Sequence, residues 1–150
     1  MFLILSKAGY LRTMIMFTIP GKPQPKERPR VTRSGYSFTP QKTKDYEAKV
    51  REEAKKSKLL PQSPIKQTPL KMILWCYMGI PKSWSKKKTA LAMNGTLKPY
   101  TRPDIDNLGK IVMDALNGVA YEDDSQIVQL VINKVYSDEP RVEVLIDEMN

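Results

Sequence analysis

Asp104, Asp106 and Lys110 fall within seven residues of one another, and a second acidic group, Asp123-Asp124, follows the next turn signal. Carboxylate oxygens are ligands for hard cations, and Mg2+ is the physiological choice where phosphate oxygens complete its shell. Hydrolysing a phosphodiester needs a cation on the nonbridging oxygens, an activated water in line with the leaving oxygen, and stabilisation of the charge that develops. Asp104, Asp106 and Asp124 have the chemistry to hold one or two such ions. Lys110 can donate to a phosphate oxygen or orient the attacking water, and the nearby Asp106 favours its protonated form.

The rest of the chain narrows the choice. It has 150 residues, no histidine and one cysteine, so Ser-His-Asp and Cys-His sites, histidine-based nucleases and histidine-liganded zinc are excluded. The charge is segregated: residues 1–19, 20–60, 61–103 and 104–150 carry net charges of +2, +7, +8 and −8. Acids thus gather behind a long basic stretch, the electrostatic arrangement that suits a partner rich in phosphate. A solvated basic surface is the plainer alternative. The longest apolar run is the nine residues Met72 to Ile80, far short of the roughly 20 that span a membrane. Phe2-Leu3-Ile4-Leu5 is too short for a signal peptide and leads into Lys7 and Arg12, which makes the expected location cytoplasmic with no membrane partner. Cys76 lies inside an apolar run and is expected to be a buried core thiol.

These groups must be positioned by elements whose patterns are readable. Residues 1–13 show neither amphipathic period nor caps and read as an N-terminal extension, frayed or disordered, leaving one domain over 14–150. Ile15 to Ile19 is the first convincing strand. Four prolines between Pro20 and Pro29 then hold an extended strap that projects Lys22, Lys26, Arg28 and Arg30, either across a phosphate backbone or as a semi-rigid loop. Val31 to Phe38 suggests a hairpin about Ser34-Gly35. Thr39 as N-cap and Pro40 at N1 open a helix striped by Tyr46, Val50 and Ala54, ending near Lys58 before Pro61 and Pro64. Leu70 to Met78 reads as a central buried strand. A short helix enters through Ser83 or Ser85 and stops at Asn94-Gly95. Lys86, Lys87 and Lys88 in its first turn oppose the helix dipole, which favours an anion beside them over a merely solvated turn. Trp84 there is expected to pack the helix on the core, with stacking on an unpaired base as the rarer role.

The second strong helix starts at Asp104 or Asp106 and ends at Asn117-Gly118. At 100° per residue Leu108, Ile111, Val112 and Ala115 share one face, while Asp106, Lys110 and Asp114 share the other. Asp106 and Lys110 then stand about 6 Å apart along the axis. Ile127 to Tyr136 and Val142 to Ile146 are expected to form a hairpin across Ser137-Asp138-Glu139-Pro140. The fold class is therefore α/β in the mixed α+β sense, a single small domain with a mixed sheet packed by two or three helices.

Taken singly, each acidic feature has a plain reading: Asp104 caps a helix, Asp106 and Lys110 form a surface pair, Asp123-Asp124 sits in a solvated turn. Together they are specific. The string Arg102-Pro103-Asp104-Ile105-Asp106-Asn107-Leu108, then Lys110, Asp114-Ala115-Leu116-Asn117-Gly118 and Asp123-Asp124-Ser125-Gln126-Ile127, resembles the RusA-type Holliday-junction resolvases, found commonly in phages and prophages. Gly21-Lys22-Pro23, Arg28-Pro29-Arg30, Tyr36-Ser37-Phe38-Thr39-Pro40 and Pro81-Lys82-Ser83-Trp84-Ser85 extend the likeness over all but the first 13 residues. The resemblance implies a homodimeric, Mg2+-dependent endodeoxyribonuclease, with Mn2+ as a substitute ion. It would act on four-way DNA junctions by paired symmetric nicks in recombination and repair. It also implies Asp104, Asp106 and Asp124 as catalytic acids that bind metal, and Lys110 as the catalytic lysine. Physics alone leaves open which of Asp123 and Asp124 faces the ion. Asp114 is a weaker candidate that would orient Lys110 or bind solvent, and Gly109 is the one helix-weakening residue in the motif. DNA contacts are expected from Lys22, Lys26, Arg28, Arg30, Lys86, Lys87, Lys88 and Arg102.

Two rivals stand beside this expectation, a noncatalytic nucleic-acid-binding module and a less selective branched-DNA nuclease. A restriction-type nuclease fits less well, since no Asp/Glu-x-Lys triplet follows Pro103-Asp104 at a suitable distance.

Overall fold

A computed structural model of the chain describes residues 3–5 and 11–149. In chain order it holds β1 (Leu3–Leu5), β2 (Leu11–Pro20), β3 (Arg30–Val31), β4 (Ser37–Phe38), α1 (Gln41–Lys56), β5 (Leu70–Gly79), α2 (Lys86–Met93), α3 (Ile105–Ala115), a 3-10 turn (Asp124–Gln126), β6 (Ile127–Ser137) and β7 (Arg141–Glu148). Five strands form one mixed sheet in the order β1-β2-β7-β5-β6, and β3 pairs with β4 in the expected small hairpin. Of the expected N-terminal extension, Leu3–Leu5 pairs antiparallel with Leu11–Thr13 at the sheet edge; the rest of residues 1–10 lies outside the described residues.

Local chemistry sets the helix ends. Pro40, not Thr39, occupies the N-cap position of α1, with φ −55° and ψ 144° and no side-chain cap. Ser85 caps α2 by accepting from the Lys88 N–H at 3.2 Å, which settles the choice between the two serines. Gly95 and Gly118 take φ of +82° and +75° just beyond the ends of α2 and α3, where an L side chain would be strained.

One face of the sheet carries the core. Ile15, Val50, Leu74, Ile111, Val112 and Ile146 are all at most 1% exposed, and each such burial contributes about 1.5–3 kcal/mol. β5 alternates: Leu70, Met72, Leu74, Cys76 and Met78 are buried, whereas Trp75 on the opposite face is 41% exposed. The strand is central as expected, between β7 and β6, but it is buried on one face only, because α1 and α3 cover that side. Met16, Leu145, Ile73 and Val131 are cross-strand neighbours in a row on the side away from α1 and α3. Burial pushes the Cys76 thiol up to about 11, although Lys134 draws it the other way. A thiol reagent at pH 8 should therefore leave native Cys76 unmodified, and labelling should track global unfolding in denaturant.

The expected hairpin of the last two strands does not form. β5 lies between them, parallel to β6 and antiparallel to β7. Two strand spacings are about 9.6 Å, a gap that Asp138-Glu139-Pro140 can cross in extended form. The crossing passes over the end of β5, where a Cβ on Gly79 would stand 3.3 Å from Pro140 Cγ. β6 is thereby left as the open edge of the sheet, with Val128 and Leu130 64% and 40% exposed.

Candidate active site

α3 is the platform. Leu108, Gly109, Ile111, Val112 and Ala115 are buried, and Asp106 and Lys110 are exposed on the other side. Gly109 has a packing reason: a Cβ there would lie 2.5 Å from Ile132 Cδ1 and 3.5 Å from Leu130 Cδ2, so its absence lets α3 approach β6. Asp104 occupies the N-cap position in extended backbone, φ −70° and ψ 144°, and makes no side-chain cap bond. A carboxylate at such a position ordinarily accepts from the first-turn amides; here it stays unspent. Neither Asp106 nor Lys110 is in an ion pair among the described residues, so the i,i+4 surface pairing does not occupy them.

The approach to Asp104 is anchored by a residue that sequence reasoning passed over. Lys134 on β6 donates to the carbonyls of Thr101 at 2.7 Å and Pro103 at 2.9 Å, which ties the Arg102-Pro103 segment to the sheet. The signal was present: Lys134 falls on the side of β6 that carries Leu130, Ile132 and Tyr136, and a lysine in an otherwise apolar row needs polar partners.

The second acidic group belongs to the other end of α3. Asp123 is engaged locally, accepting from the Ser125 hydroxyl at 2.6 Å, and that hydrogen bond holds its carboxyl below the usual range. Asp124 reaches the C-terminal end of α3: its N–H donates to Asn117 Oδ1 at 2.8 Å, and Asp114 stands near enough to its carboxyl to act on its charge. Burial first, then the hydrogen bond and charge of Asp114, raise the Asp124 carboxyl above its ordinary value. Asp106 and Asp114 are separated by about 12 Å along the helix axis. The structure thus brings Asp124 to Asp114 and leaves Asp104 and Asp106 at the opposite end. Among the described residues no three carboxylate, thiol or imidazole side chains gather as one ion-holding group.

The strap runs along this platform. The Lys26 N–H donates to the Asn107 carbonyl at 2.9 Å, and its ammonium is held by Glu47 of α1 and by Asp114 at 3.1 Å. Lys26 was expected as a phosphate contact; its ammonium instead joins the strap, α1 and α3. Burial lowers its pKa, but Glu47 and Asp114 outweigh that and leave it above 10.5. That ion pairing stabilises the fold fully below 10.5 and is lost as pH rises through the higher folded value. Lys26→Met should cost about 2 kcal/mol at pH 7, measured by urea unfolding, with the deficit shrinking in strong alkali.

The other basic residues remain outward. Lys22, Arg28, Arg30, Lys86, Lys87, Lys88 and Arg102 are exposed; Arg30 has a loose pair with Glu27 at 3.5 Å. Lys22, Lys26, Lys42 and Arg102 line a cleft of about 390 Å3 that also holds Asp104 and Asn107. With Lys26 engaged by Glu47 and Asp114, the three exposed cations Lys22, Lys42 and Arg102 around one uncapped carboxylate suit a polyanion drawn up to an acidic centre.

A family model described as endodeoxyribonuclease RusA matches residues 20–147. The chain belongs to the RusA endodeoxyribonuclease family. The matched region runs from the strap through α3 to β7, so every acidic group above lies within the RusA domain. Among relatives of this chain, the uncharacterized protein YqaN of Bacillus subtilis (strain 168) is 43% identical over 141 residues, covering 91% of this chain and 97% of that protein. The crossover junction endodeoxyribonuclease rusA of Lactococcus phage r1t is 36% identical over 87 residues, 56% of this chain and 58% of that one. No helix among the described residues of the chain is long and apolar enough to cross a membrane.

Proposed function

We propose that this RusA-family chain is a cytoplasmic, divalent-metal-dependent endonuclease that resolves four-way DNA junctions by paired symmetric nicks, acting as a homodimer in recombination and repair. The observation that carries the reading is the unspent Asp104 carboxylate inside a cleft of cations, with Asp106 and Lys110 exposed beside it. Phosphate is drawn in by Lys22 and Arg102, and Lys110 is free to donate to its oxygens. The donor set fits a hard cation: it is all carboxylate, and Asp124 is crowded by Asp114 in a way that positive charge would relieve. Asp104, Asp106 and Asp124 would hold Mg2+, or Mn2+ in its place. When bound, the ion neutralises nonbridging oxygens and lowers the pKa of the attacking water.

Paired symmetric nicks on a two-fold substrate call for two sites related by a two-fold axis. The same axis resolves the separation of the acids. Antiparallel pairing of the open β6 edges of two copies would lay their α3 helices side by side in opposite directions. Each Asp104–Asp106 end would then meet the Asp114–Asp124 end of the second copy, so that each site is shared. Unpaired edges with exposed apolar side chains invite such pairing, and Val128 and Leu130 lie on this one. Val128→Lys should yield a folded monomer, with cleavage falling in step with dimer content; sedimentation showing unchanged dimers would remove β6 as the interface.

Cleavage of four-way, three-way and linear DNA of the same sequence separates the junction-specific reading from a general branched-DNA nuclease. The expected result is resolution of the four-way substrate alone. Comparable cleavage of all three would favour the broader activity.

A further inference from the structure

Beside the Asp104 cleft lies a second cavity of about 460 Å3. Lys22, Arg102 and Pro103 line both, so the two spaces share a wall. The second cavity differs in chemistry. Trp84 and Tyr136 line it, their ring centroids 5.2 Å apart and their planes at 70°. Pro81 and Pro99 add rigid apolar walls. Lys88 Nζ lies 4.0 Å from the Trp84 ring centroid but is not part of the lining. Trp84 is half-buried against β6, while the single buried residue of α2 is Ala92. The indole therefore does more than seat the helix: it leaves part of its surface in a cavity whose rim is cationic.

We propose that this cavity receives one nucleobase, unstacked from the strand whose phosphate lies at Asp104. An aromatic and apolar chamber of this size accepts a planar heterocycle, and the shared Lys22 and Arg102 would hold the phosphates on either side of it. Every base has a face that can stack on an aromatic ring, and such stacking strengthens binding by about 5- to 150-fold per base. A four-way junction supplies the base, because strand exchange at the branch point interrupts regular stacking. The cavity would thereby place the branch next to the cleavage centre. This rests on the junction reading above.

The test is a cycle between one base and Trp84, run with full-length Asp106→Asn protein so that the DNA stays intact. Anisotropy measures binding to a four-way junction and to versions in which single nucleotides near the branch are made abasic. At one position the abasic change should weaken binding about tenfold. Trp84→Ala should weaken binding to the intact junction by the same factor and lose nothing more on that abasic junction, while Trp84→Phe should keep the sensitivity. Additive losses at every position, or a Trp84→Phe chain with no abasic sensitivity, would overturn the cavity's role while leaving the junction reading in place. Failure of the Asp106→Asn protein to prefer junctions over linear duplex would overturn both.

Discussion

Asp106→Asn should lower cleavage of a four-way junction by about a hundredfold to a thousandfold, the loss expected when a carboxylate that would hold the charge-stabilising cation is removed. Junction affinity should be unchanged or slightly higher, since a negative charge is removed next to the residues Asp104 and Asn107 that line the cationic cleft. The physical basis is the position of Asp106 on α3: exposed, outside any ion pair among the described residues, and on the face opposite the buried stripe. Its removal opens no cavity and orphans no partner, so the melting temperature should hold. A noncatalytic binding module would show equal behaviour of the two proteins in every assay. Unchanged cleavage by the variant would remove Asp106 from the site.

Mixing Asp106→Asn chains with Asp124→Asn chains should restore nicking that neither preparation has alone. If each site draws Asp104 and Asp106 from one copy and Asp124 from the other, a mixed dimer contains one intact site and one doubly altered site. Random reassortment then returns about a quarter of the wild-type sites. The products should be singly nicked junctions rather than resolved duplexes, because the second site in each mixed dimer is dead. Sites built wholly within one chain would leave every site in the mixture defective, and no activity would return. This outcome discriminates sharply because α3 separates the two acidic ends by about 12 Å.

The platform itself was legible before any coordinates. α1 and α3 announce themselves by apolar stripes at helical spacing, and the buried sets Tyr46-Val50-Ala54 and Leu108-Ile111-Val112-Ala115 are those the periodicity names. Pairing was less legible. Short polar connections such as Asp138-Glu139-Pro140 serve hairpins and one-strand crossings equally well, and β5, which separates β6 from β7, comes from far earlier in the chain. Gly79 at the end of β5 was the one local sign that something passes close by.

The acidic motif was readable as residue types but not as a constellation. Helical phase places Asp106, Lys110 and Asp114 on one face, yet phase says nothing of which other element approaches each end. Asp124 meets Asp114 because the 3-10 turn before β6 packs at the C-terminal end of α3, a tertiary fact. Lys26 shows the same limit. In the sequence it is one cation among several on a proline-rich strap, and only the fold brings Glu47 and Asp114 to it. Burial, and then the hydrogen bond and charge of Asp114, raise the Asp124 carboxyl pKa, so the native state disfavours charge there, and the resulting loss of stability grows as pH rises above the ordinary carboxylate value of 3.8.

The central claim is that this RusA-family chain cuts junction DNA in symmetric pairs with the help of a divalent cation. Its most direct test uses one immobile four-way junction labelled on each strand in turn, incubated with the wild-type protein and Mg2+, Ca2+ or EDTA. Cuts are expected at symmetry-related positions on one pair of opposing strands with Mg2+, and none with EDTA. Full cleavage in EDTA, or bound junctions left uncut with Mg2+, would contradict it.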